Sequence, residues 1–489
     1  MPKQLMRVYA HLNQQTRINQ DVDGGGAKKS YLSPMKNVCR ISFATMVACL
    51  LFPAGIIAQK TSLFNGKDFT GWKILGGKAT YKAEEGMIVG YCVPNTGNTF
   101  LTTEKEYGDF ALELEIRVED TLMNSGVQTR SHADMAANGG LGKVFGRQVE
   151  LDPTYRKWTG GIYDEQRRLW LYPLTYNPAA QAAYKPGEFN RIRIECKGPV
   201  TKTWINGVAA AIVVDTVDPK GFIALQVHDI GNKPLEGKRT WFRNIKLEEG
   251  NFKPAVWNNK VYVVNLLLNQ LSAEEKQQGY KLLFDGKTGA GWRSAKSPGF
   301  PAGGWQISDG EIRVLPSNGG ESTNGGDIIT NNQYKAFDLS FQFKLTPGAN
   351  SGVKYFVTMQ EQTNGSAIGL EYQVLDDTLH PDAKLGRDGN RTLASLYDLI
   401  KANKTKNFLK PIGDWNQGRV VVYPDNRVEH WLNGQLVLQY VRGSKEYLDL
   451  VAVSKYKDWK NFGQAAKGHL LLQDHGNAVS YKNIRIREL

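Results

Sequence analysis

The sequence predicts an all-β protein built from two tandem two-sheet sandwiches, and three observations carry this prediction. Apolar and polar residues alternate in "FALELEIRV" (110–118) and "FDLSFQFKL" (337–345), the spacing of half-buried strands. The 51 glycines and the Asn-Gly pairs between short strands indicate many tight turns. The chain also repeats itself, because "LFNGKDFTGW" (63–72) returns as "LFDGKTGAGW" (283–292).

The repeat continues in the same order along both halves of the chain. "GEFNRIRIECKGPVTKTWINGV" (187–208) is matched by "GDWNQGRVVVYPDNRVEHWLNGQLV" (413–437). "WFRNIKLEE" (241–249) is matched by "YKNIRIREL" (481–489). This unit is far longer than the 20–50 residues of a solenoid repeat, so each copy is expected to be a whole domain. The Trp-x-Asn-Gly segments predict two-residue hairpin turns.

The N-terminal segment is predicted to be processing signal and not fold. Residues 1–34 are polar and contain Gly-Gly-Gly, which suggests a mis-assigned N-terminal extension. Residues 35–58 start at Met35, carry Lys36 and Arg40, and continue as an apolar run, which is the pattern of a secretory signal peptide. The alternative is a true extension before a membrane anchor, but the run is short and contains Pro53. We therefore expect a periplasmic or secreted protein with no membrane span in the mature chain.

The remaining chain divides into two sandwiches and a linker. The first sandwich is expected over 59–249, a linker over 250–279 and the second sandwich over 280–489. Within the linker, Ser272-Ala-Glu-Glu275 is a capping box that predicts a short helix.

Charge and cysteine content exclude several classes of protein. The formal net charge is +13, but Lys and Arg are scattered and form no stripe of the kind that binds nucleic acid. The sequence shows no glycine-rich phosphate loop, so no nucleotide cofactor is expected. Cys92 and Cys196 allow one disulfide and lack metal-site spacing.

Several motifs together resemble one known family. They are the two "LF-x-GK…GW" segments, Ser-Gly-Val after a long strand, "EYQVLDDTLHPDAK" (371–384) and the closing "LLLQDHGNAVSYKNIRIREL" (470–489). In this order they resemble the 3-keto-disaccharide hydrolase family over nearly everything after residue 60. The resemblance implies concanavalin A-like jelly rolls and cleavage of glycosides oxidised at C3. Because such chemistry requires a supplier of the oxidised sugar, a separate sugar 3-dehydrogenase is expected to provide the oxidised oligosaccharide or glycoside.

A ketone at C3 makes the glycosidic bond cleavable by elimination. The C2 proton becomes acidic, and the aglycone on C1 lies β to the carbonyl. Such a site needs a general base and a cation or hydrogen-bond donor at the enolate oxygen. One divalent cation bridging O2 and O3, such as Ca²⁺ or Mn²⁺, would also polarise the ketone.

The candidate bases lie on strands with one polar face. In "GRQVELDPT" (146–154) the residues Gln148, Glu150 and Asp152 share one face, which is either the floor of a site or ordinary wet surface. Glu150 and Asp152 are catalytic candidates, with Gln148 as a sugar contact. In the second copy Glu371 is the catalytic candidate and Gln373 the sugar contact. The alignment is open: Gln148 matches either Gln373 or, after a shift of two, Glu371.

Histidines and carboxylates elsewhere supply the other candidates. His228 and His475 align between the copies and are predicted to be bases, or else hydrogen-bonded core histidines. His430, which has no counterpart, is interpreted as surface. Asp376, Asp377 and His380 form a candidate metal site, or else a turn in which the aspartates cap backbone amides. Further substrate contacts are predicted from cations, a carboxylate and aromatic rings: Arg130, Trp158, Tyr163, Glu165, Arg168, Lys354 and Tyr355.

The sequence therefore predicts an exported enzyme that cleaves 3-keto-glycosides by C2-proton abstraction and elimination. Two rival hypotheses remain: a carbohydrate-binding protein without turnover, and a division into one catalytic copy and one binding copy. Fold alone does not separate them.

Overall fold

The computed structural model describes residues 59–317, 320–363 and 366–489, and the predicted N-terminal extension and signal peptide lie outside them. The strands of the first copy and the linker are β1 (Thr61–Ser62), β2 (Trp72–Gly76), β3 (Thr80–Glu84), β4 (Met87–Tyr91), β5 (Thr99–Tyr107), β6 (Phe110–Val118), β7 (Ser125–Asp134), β8 (Lys143–Leu151), β9 (Ile162–Glu165), β10 (Leu169–Tyr172), β11 (Asn190–Lys197), β12 (Val200–Ile205), β13 (Val208–Val214), β14 (Gly221–Val227), β15 (Arg239–Glu249) and β16 (Val264–Asn265). The strands of the second copy are β17 (Lys281–Leu282), β18 (Trp292–Ser294), β19 (Trp305–Ser308), β20 (Glu311–Val314), β21 (Ile328–Thr330), β22 (Phe337–Leu345), β23 (Asn350–Thr363), β24 (Ser366–Leu375), β25 (Asn416–Val422), β26 (Arg427–Leu432), β27 (Gln435–Val441), β28 (His469–Leu472) and β29 (Val479–Glu488).

Three short α-helices interrupt the strands in the described part of the chain: α1 (Pro178–Ala183), α2 (Ala273–Gln277) and α3 (Lys445–Ala452). None of them is long and apolar enough to cross a bilayer. Single turns of 3₁₀ helix occur at Asn138–Gly140, Leu174–Tyr176, Pro381–Lys384 and Lys406–Phe408.

Each copy is a sandwich of two mainly antiparallel sheets. In the first copy one sheet runs β16-β13-β12-β11-β6-β15-β4-β3, with β1 added on β15, and the other runs β10-β9-β8-β7-β14-β5-β2. In the second copy the sheets run β19-β20-β29-β22-β25-β26-β27, with β17 added on β29, and β18-β21-β28-β23-β24. The strand orders correspond, so the predicted tandem jelly-roll sandwiches are confirmed. We call the sheet that begins with β10 and ends with β2, and the sheet that begins with β18 and ends with β24, the site sheets.

Local sequence signals produce the turns and the linker helix as predicted. Asn206-Gly207 and Asn433-Gly434 join adjacent strands, and all four residues have positive φ, as a two-residue hairpin turn requires. Helix α2 starts at Ser272, whose hydroxyl accepts from the Glu275 N–H while the Glu275 carboxylate accepts from the Ser272 N–H. The linker therefore contains the short helix that its capping box predicts.

The linker and the two copies pack directly against one another. The buried Glu275 carboxylate of α2 accepts from the buried Arg485 guanidinium of β29 at 2.7 Å. The Tyr176 ring of the first copy stacks on Trp431 of the second, and Tyr262 of the linker lies against Tyr176. Cys92 and Cys196, the cysteines within the described residues, are both buried and are not joined in a disulfide.

A buried carboxylate anchors the outer sheet of the second copy. Asp338 on β22 accepts from Arg419 at 2.7 and 2.8 Å, from Arg487 at 3.0 Å and from the Tyr280 hydroxyl at 2.7 Å. Burial opposes its ionisation, but Arg419 and Arg487 outweigh that effect and lower the pKa of Asp338. The carboxylate is therefore charged and held by two cations in the interior.

Asp338→Asn is expected to lower the free energy of unfolding by about 3–5 kcal/mol, because it leaves Arg419 buried without its counter-charge. Urea unfolding at pH 7 measures this loss. Because the folded-state pKa is lowered, the contribution is present above the ordinary value of 3.8 and is lost as pH falls through the folded-state pKa. Glu249→Gln, which removes an exposed ion pair with Lys105, is the control and should cost less than about 1 kcal/mol.

Candidate active site

The site sheets carry polar side chains on the face that points away from the sandwich core. Gln148 and Glu150 alternate on β8 with Val149 and Leu151, which belong to the apolar core. The loop between β7 and β8 reaches β2, where the Gly76 N–H donates to the Leu141 carbonyl at 2.8 Å. Gln148 and Glu150 are 1% and 6% exposed, so this polar face is covered and is not open wet surface.

In the first copy this face holds a network of amides around one carboxylate, which we call the amide cluster (Asn124, Gln128, Gln148, Glu150 and Gln226). Gln128 Nε2 donates to Gln148 Oε1 at 2.8 Å, and Gln148 Nε2 donates to Glu150 Oε2 at 3.0 Å. Asn124 Nδ2 donates to Glu150 Oε1 at 2.6 Å. Burial raises the pKa of Glu150 to about 7, although the bonds from Gln148 and Asn124 oppose the shift.

In the second copy the same face carries charges, which we call the lysine cluster (Asp327, Lys354, Glu371, Gln373 and Gln473). Lys354 on β23 lies directly opposite Glu371 on β24 in the register of the two strands. The Lys354 Nζ lies 4.0 Å from Asp327 Oδ2. The exposed fractions of Asp327, Lys354 and Glu371 are 1%, 3% and 5%. These three charged side chains therefore share one buried patch.

Burial and mutual charge set the ionisation of this patch. Burial raises the pKa of Glu371 to about 7, with Lys354 and Lys455 pulling it back down. Burial likewise raises the pKa of Asp327 to about 6 against the pull of Lys354. Burial opposes the charge on Lys354, but Glu371 and Asp327 outweigh it and raise the lysine pKa. The patch holds a lasting positive charge beside a carboxylate that titrates near neutral pH.

Strand pairing resolves the alignment that the sequence left open. Gln128 pairs with Gln148 and Gly126 with Glu150, just as Lys354 pairs with Glu371 and Gly352 with Gln373. Gln148 therefore corresponds to Glu371, and Glu150 to Gln373. By the same register Gln128 corresponds to Lys354, and Phe100, which pairs with Gln226, takes the place that Asp327 has opposite Gln473. The lysine and both acids of its patch are thus replaced by uncharged residues in the first copy.

The glycine of each Ser-Gly-Val motif makes room for a site side chain. A Cβ added to Gly352 would lie 2.2 Å from Glu371 Oε1 and 2.8 Å from its Cδ. A Cβ added to Gly126 would lie 2.5 Å from the Gln148 Cδ. The carboxyl or amide arm lies flat across the neighbouring strand, and glycine is the residue that permits this close approach.

Several buried polar atoms of the site sheets lack partners among the described residues. Atoms without a hydrogen bond include Asp327 Oδ2, Gln473 Oε1 and His475 Nδ1 in the second copy and Gln226 Nε2 in the first. Gln473 Nε2 donates to Glu321 at 3.2 Å, so only half of that amide is satisfied. Buried polar groups are nearly always hydrogen-bonded, so atoms of this kind on one face indicate a place for a polar ligand.

The predicted histidines lie in different surroundings. His475 follows β28 and is half-buried, with its ring edge-on to His380 at 5.7 Å between ring centres. His228 follows β14 in the first copy, where its Nδ1 lies 2.6 Å from the Asp229 carbonyl. The interpretation of His430 as surface is wrong, because it is fully buried between the Tyr355 hydroxyl and the Ala394 carbonyl.

The residues predicted to bind a divalent cation do not fit one, because they do not converge. The Asp376 carboxylate accepts from the N–H groups of Gly348, Thr378 and Leu379. Asp377 accepts from the Leu393 N–H and pairs with Lys404. Throughout the described ranges no three His, Cys, Asp or Glu side chains are grouped to hold a metal. The contacts match the alternative of a capped turn, and we derive no step through a metal ion.

Two other predicted sugar contacts lie away from the polar face. Arg130 is 1% exposed, and its guanidinium donates to the carbonyls of Gly108 and Gly198 and to Asp109. Tyr355 lies on the core face of β23 and contacts His430 and Tyr440 through its hydroxyl. Tyr355 alternates with Lys354 and therefore faces the core, whereas Arg130 has a positive φ and lies in the bulge between Thr129 and His132, which turns it off the polar face.

The remaining candidates of the first copy surround the amide cluster. The Trp158 ring is buried edge-on against Trp170 and Phe408, which leaves little of it for a sugar. Tyr163 is half-buried and pairs with Gln148. Three charged candidates are each held by neighbours, namely Asp152 by Arg156, Arg168 by Asp164 and Asp215, and Glu165 by Asn98 and Gln166. Their roles toward substrate stay predictions.

The fold and the site define a tandem β-sandwich protein with a buried, raised-pKa carboxylate on the polar face of each copy. The chain belongs to the 3-keto-alpha-glucoside-1,2-lyase-like domain family, which matches residues 59–248 and 279–487. A 3-keto-disaccharide hydrolase of Bacteroides thetaiotaomicron is 37% identical over 243 residues, covering 45% of this chain and 82% of that protein. The family resemblance is therefore confirmed, and these findings support a glycoside hydrolase or lyase class of activity.

Solved structures of two candidate glycosyl hydrolases from Parabacteroides distasonis are also similar. One is 29% identical with a TM-score of 0.40, covering 45% of this chain and 99% of its own. The other is 24% identical with a TM-score of 0.33, covering 43% of this chain and 99% of its own.

Proposed function

We propose that the second sandwich cleaves 3-keto-glycosides, with Glu371 as the base that removes the C2 proton. The observation that carries this proposal is that Glu371 and Lys354 lie opposite each other on adjacent strands, both buried in one patch. A base works best when its pKa lies near the working pH, and Glu371 meets this condition with a pKa of about 7. A fixed cation in a site shielded from water stabilises a developing oxyanion strongly, and Lys354 supplies it.

The proposed reaction moves one proton and breaks one bond in each step. Glu371 takes the C2 proton, the electron pair forms the C2–C3 double bond, and the negative charge on O3 is stabilised by Lys354. The enolate then collapses: the C3 carbonyl re-forms, the C1–C2 double bond forms and the C1–O bond breaks. The leaving oxygen takes a proton, which we assign to His475 because its buried Nδ1 has no bonding partner in the part of the chain described.

Water completes the reaction in this proposal. Its oxygen adds to C1 of the enone, and its released proton restores His475. The carboxyl proton of Glu371 exchanges with solvent while the enone is bound, and Glu371 then gives this solvent-derived proton to C2. The product is the free 3-keto sugar. The substrate must come from a sugar 3-dehydrogenase on another protein, and export to the periplasm or beyond remains part of the proposal through the signal-like segment 35–58.

The test follows release of nitrophenolate from a 4-nitrophenyl 3-keto-glucoside by the purified chain in D₂O. Elimination and hydration place one deuterium at C2 of the 3-keto-glucose, whereas direct hydrolysis leaves that position unlabelled. The product incubated alone controls for spontaneous exchange. Absence of release would overturn the proposal, and release without C2 label would replace elimination by direct hydrolysis. Repeating the assay in EDTA separately tests the predicted divalent cation.

Gly352→Ala is expected to lower kcat for this reaction by about 10²-fold while leaving the fold intact. The added methyl group would occupy the space of the Glu371 carboxyl, and a displacement of about 1 Å at a catalytic group costs that much. Circular dichroism and the thermal midpoint check folding. The control is Gly126→Ala, the equivalent change in the first copy. A Gly352→Ala enzyme with wild-type kcat would contradict the placement of the base.

A further inference from the structure

The first sandwich keeps the architecture of the site but lacks the lysine and the two acids of the second copy's buried patch. Gln128, Gln148 and Phe100 stand where the second copy has Lys354, Glu371 and Asp327. The Glu150 carboxylate already accepts two amide hydrogen bonds. The amide cluster therefore has no cation to stabilise an enolate oxygen.

The amide cluster still contains a buried donor without a hydrogen-bond partner. Gln226 is fully buried, its Oε1 accepts from Gln148 at 3.3 Å, and its Nε2 donates to nothing among the residues that the structure describes. A buried amide donor left unpaired destabilises the fold, because it has lost its hydrogen bonds to water and gained none in return. A ligand hydroxyl that accepts this hydrogen bond would recover that cost.

An open cleft lies beside the amide cluster. It has a volume of about 450 Å³, and its lining includes Asn98, Phe100, Leu141, Lys143, Val144 and Glu165. Small-molecule sites commonly have volumes in this range and combine an apolar wall with a few polar groups. Phe100 pairs directly with Gln226 on the neighbouring strand, so the cleft and the unpartnered amide adjoin.

We infer that the first sandwich is a second carbohydrate site, which binds an uncharged, unoxidised pyranoside and does not cleave it. Amide groups donate and accept hydrogen bonds and therefore match hydroxyl groups, while Leu141, which lines the cleft and is 43% exposed, offers an apolar surface to the C–H face of a sugar. This site goes beyond the proposed keto-glycoside cleavage and stands without it. It would hold the chain on native glycan while the second sandwich processes oxidised residues.

The test is calorimetric titration of the full chain with trehalose and with maltose. Binding with a Kd of ~1 mM or tighter is expected. Gln226→Leu should weaken binding at least about tenfold, the effect of one lost hydrogen bond of ~1.4 kcal/mol. The matched change Gln473→Leu in the second copy should not alter it. Lys354→Met, which removes the cation of the proposed catalytic site, should leave disaccharide binding unchanged.

A second variant protects the test against misfolding of Gln226→Leu. Leu141 lines the cleft and is 43% exposed, so Leu141→Trp fills the cleft from outside and should abolish binding. Leu448 on α3 is 41% exposed, and Leu448→Trp is the control of equal bulk. Absence of binding by the wild type would overturn the inference, as would equal losses in the two tryptophan variants or release of glucose from either disaccharide.

Discussion

Glu371→Gln is expected to lower the rate of aglycone release from a 3-keto-glucoside by about 10²–10⁴-fold, the range lost when a general base is removed. The glutamine keeps the shape of the side chain. The first copy already has an amide at the equivalent position, that of Gln148. The fold should therefore survive. Stopped-flow or steady-state release of nitrophenolate at pH 7.0 to 8.0 measures the effect.

The pH dependence gives an independent reading of the same base. Burial raises the pKa of Glu371 to about 7, and the carboxylate must be deprotonated to accept the C2 proton. In the wild type kcat/KM should therefore rise with pH and level off above about 7. In Glu371→Gln this limb should disappear. A rise that persists with the same midpoint in the variant would show that another group is the base.

Glu150→Gln is the matched control for the assignment of activity to one copy. Burial also raises the pKa of Glu150 to about 7, so pKa alone does not separate the two carboxylates. What separates them is Lys354, whose place is taken by Gln128 beside the first carboxylate. Glu150→Gln should leave release within about twofold of wild type, and a large loss there with none in Glu371→Gln would reverse the assignment.

The sequence was sufficient for the fold because local and periodic signals agreed. Alternating strands, Asn-Gly turns and the capping box at Ser272 all lie within a few residues and depend on local physics. The repeat then predicted two copies of one sandwich. The same alternation also places His430 in the core, because Val428, His430 and Leu432 share a face of β26 and the first and last of these are core residues.

The site was less predictable because its register depends on partners distant in sequence. Shifting one copy against the other by two residues keeps every side chain on the same face, so the apolar pattern does not distinguish the two alignments. Pairing with the strand of the Ser-Gly-Val motif decides between them. Asp327 was missed because it precedes a short strand 44 positions before Glu371. Nothing in its local sequence indicates that it lies on the polar face of the site sheet.

Lys354→Met is expected to lower aglycone release by about 10²–10³-fold, the range for loss of one group that stabilises an oxyanion. The lysine also supports the base, because its charge lowers the pKa of Glu371. Without it the pKa of Glu371 should rise, so the ascending limb of kcat/KM should move to higher pH. Lys354→Arg keeps the charge and should keep the limb near pH 7, even if the rate falls.

The same variant should change the pH dependence of stability in a defined direction. Burial already raises the pKa values of Glu371 and Asp327 above their ordinary values of 4.5 and 3.8, so each acid stabilises the fold less as pH rises through its folded-state pKa. Lys354→Met raises both further and leaves two acids to ionise without a counter-charge. Its thermal midpoint should therefore match wild type at pH 4 to 5 and fall progressively below it above pH 7.

Gln128→Met, the equivalent change in the first copy, should show a deficit that does not grow with pH, because it removes no charge. Equal deficits for the two variants at every pH would mean that Lys354 does not balance the buried acids, and the electrostatic basis of the proposed catalysis would be lost.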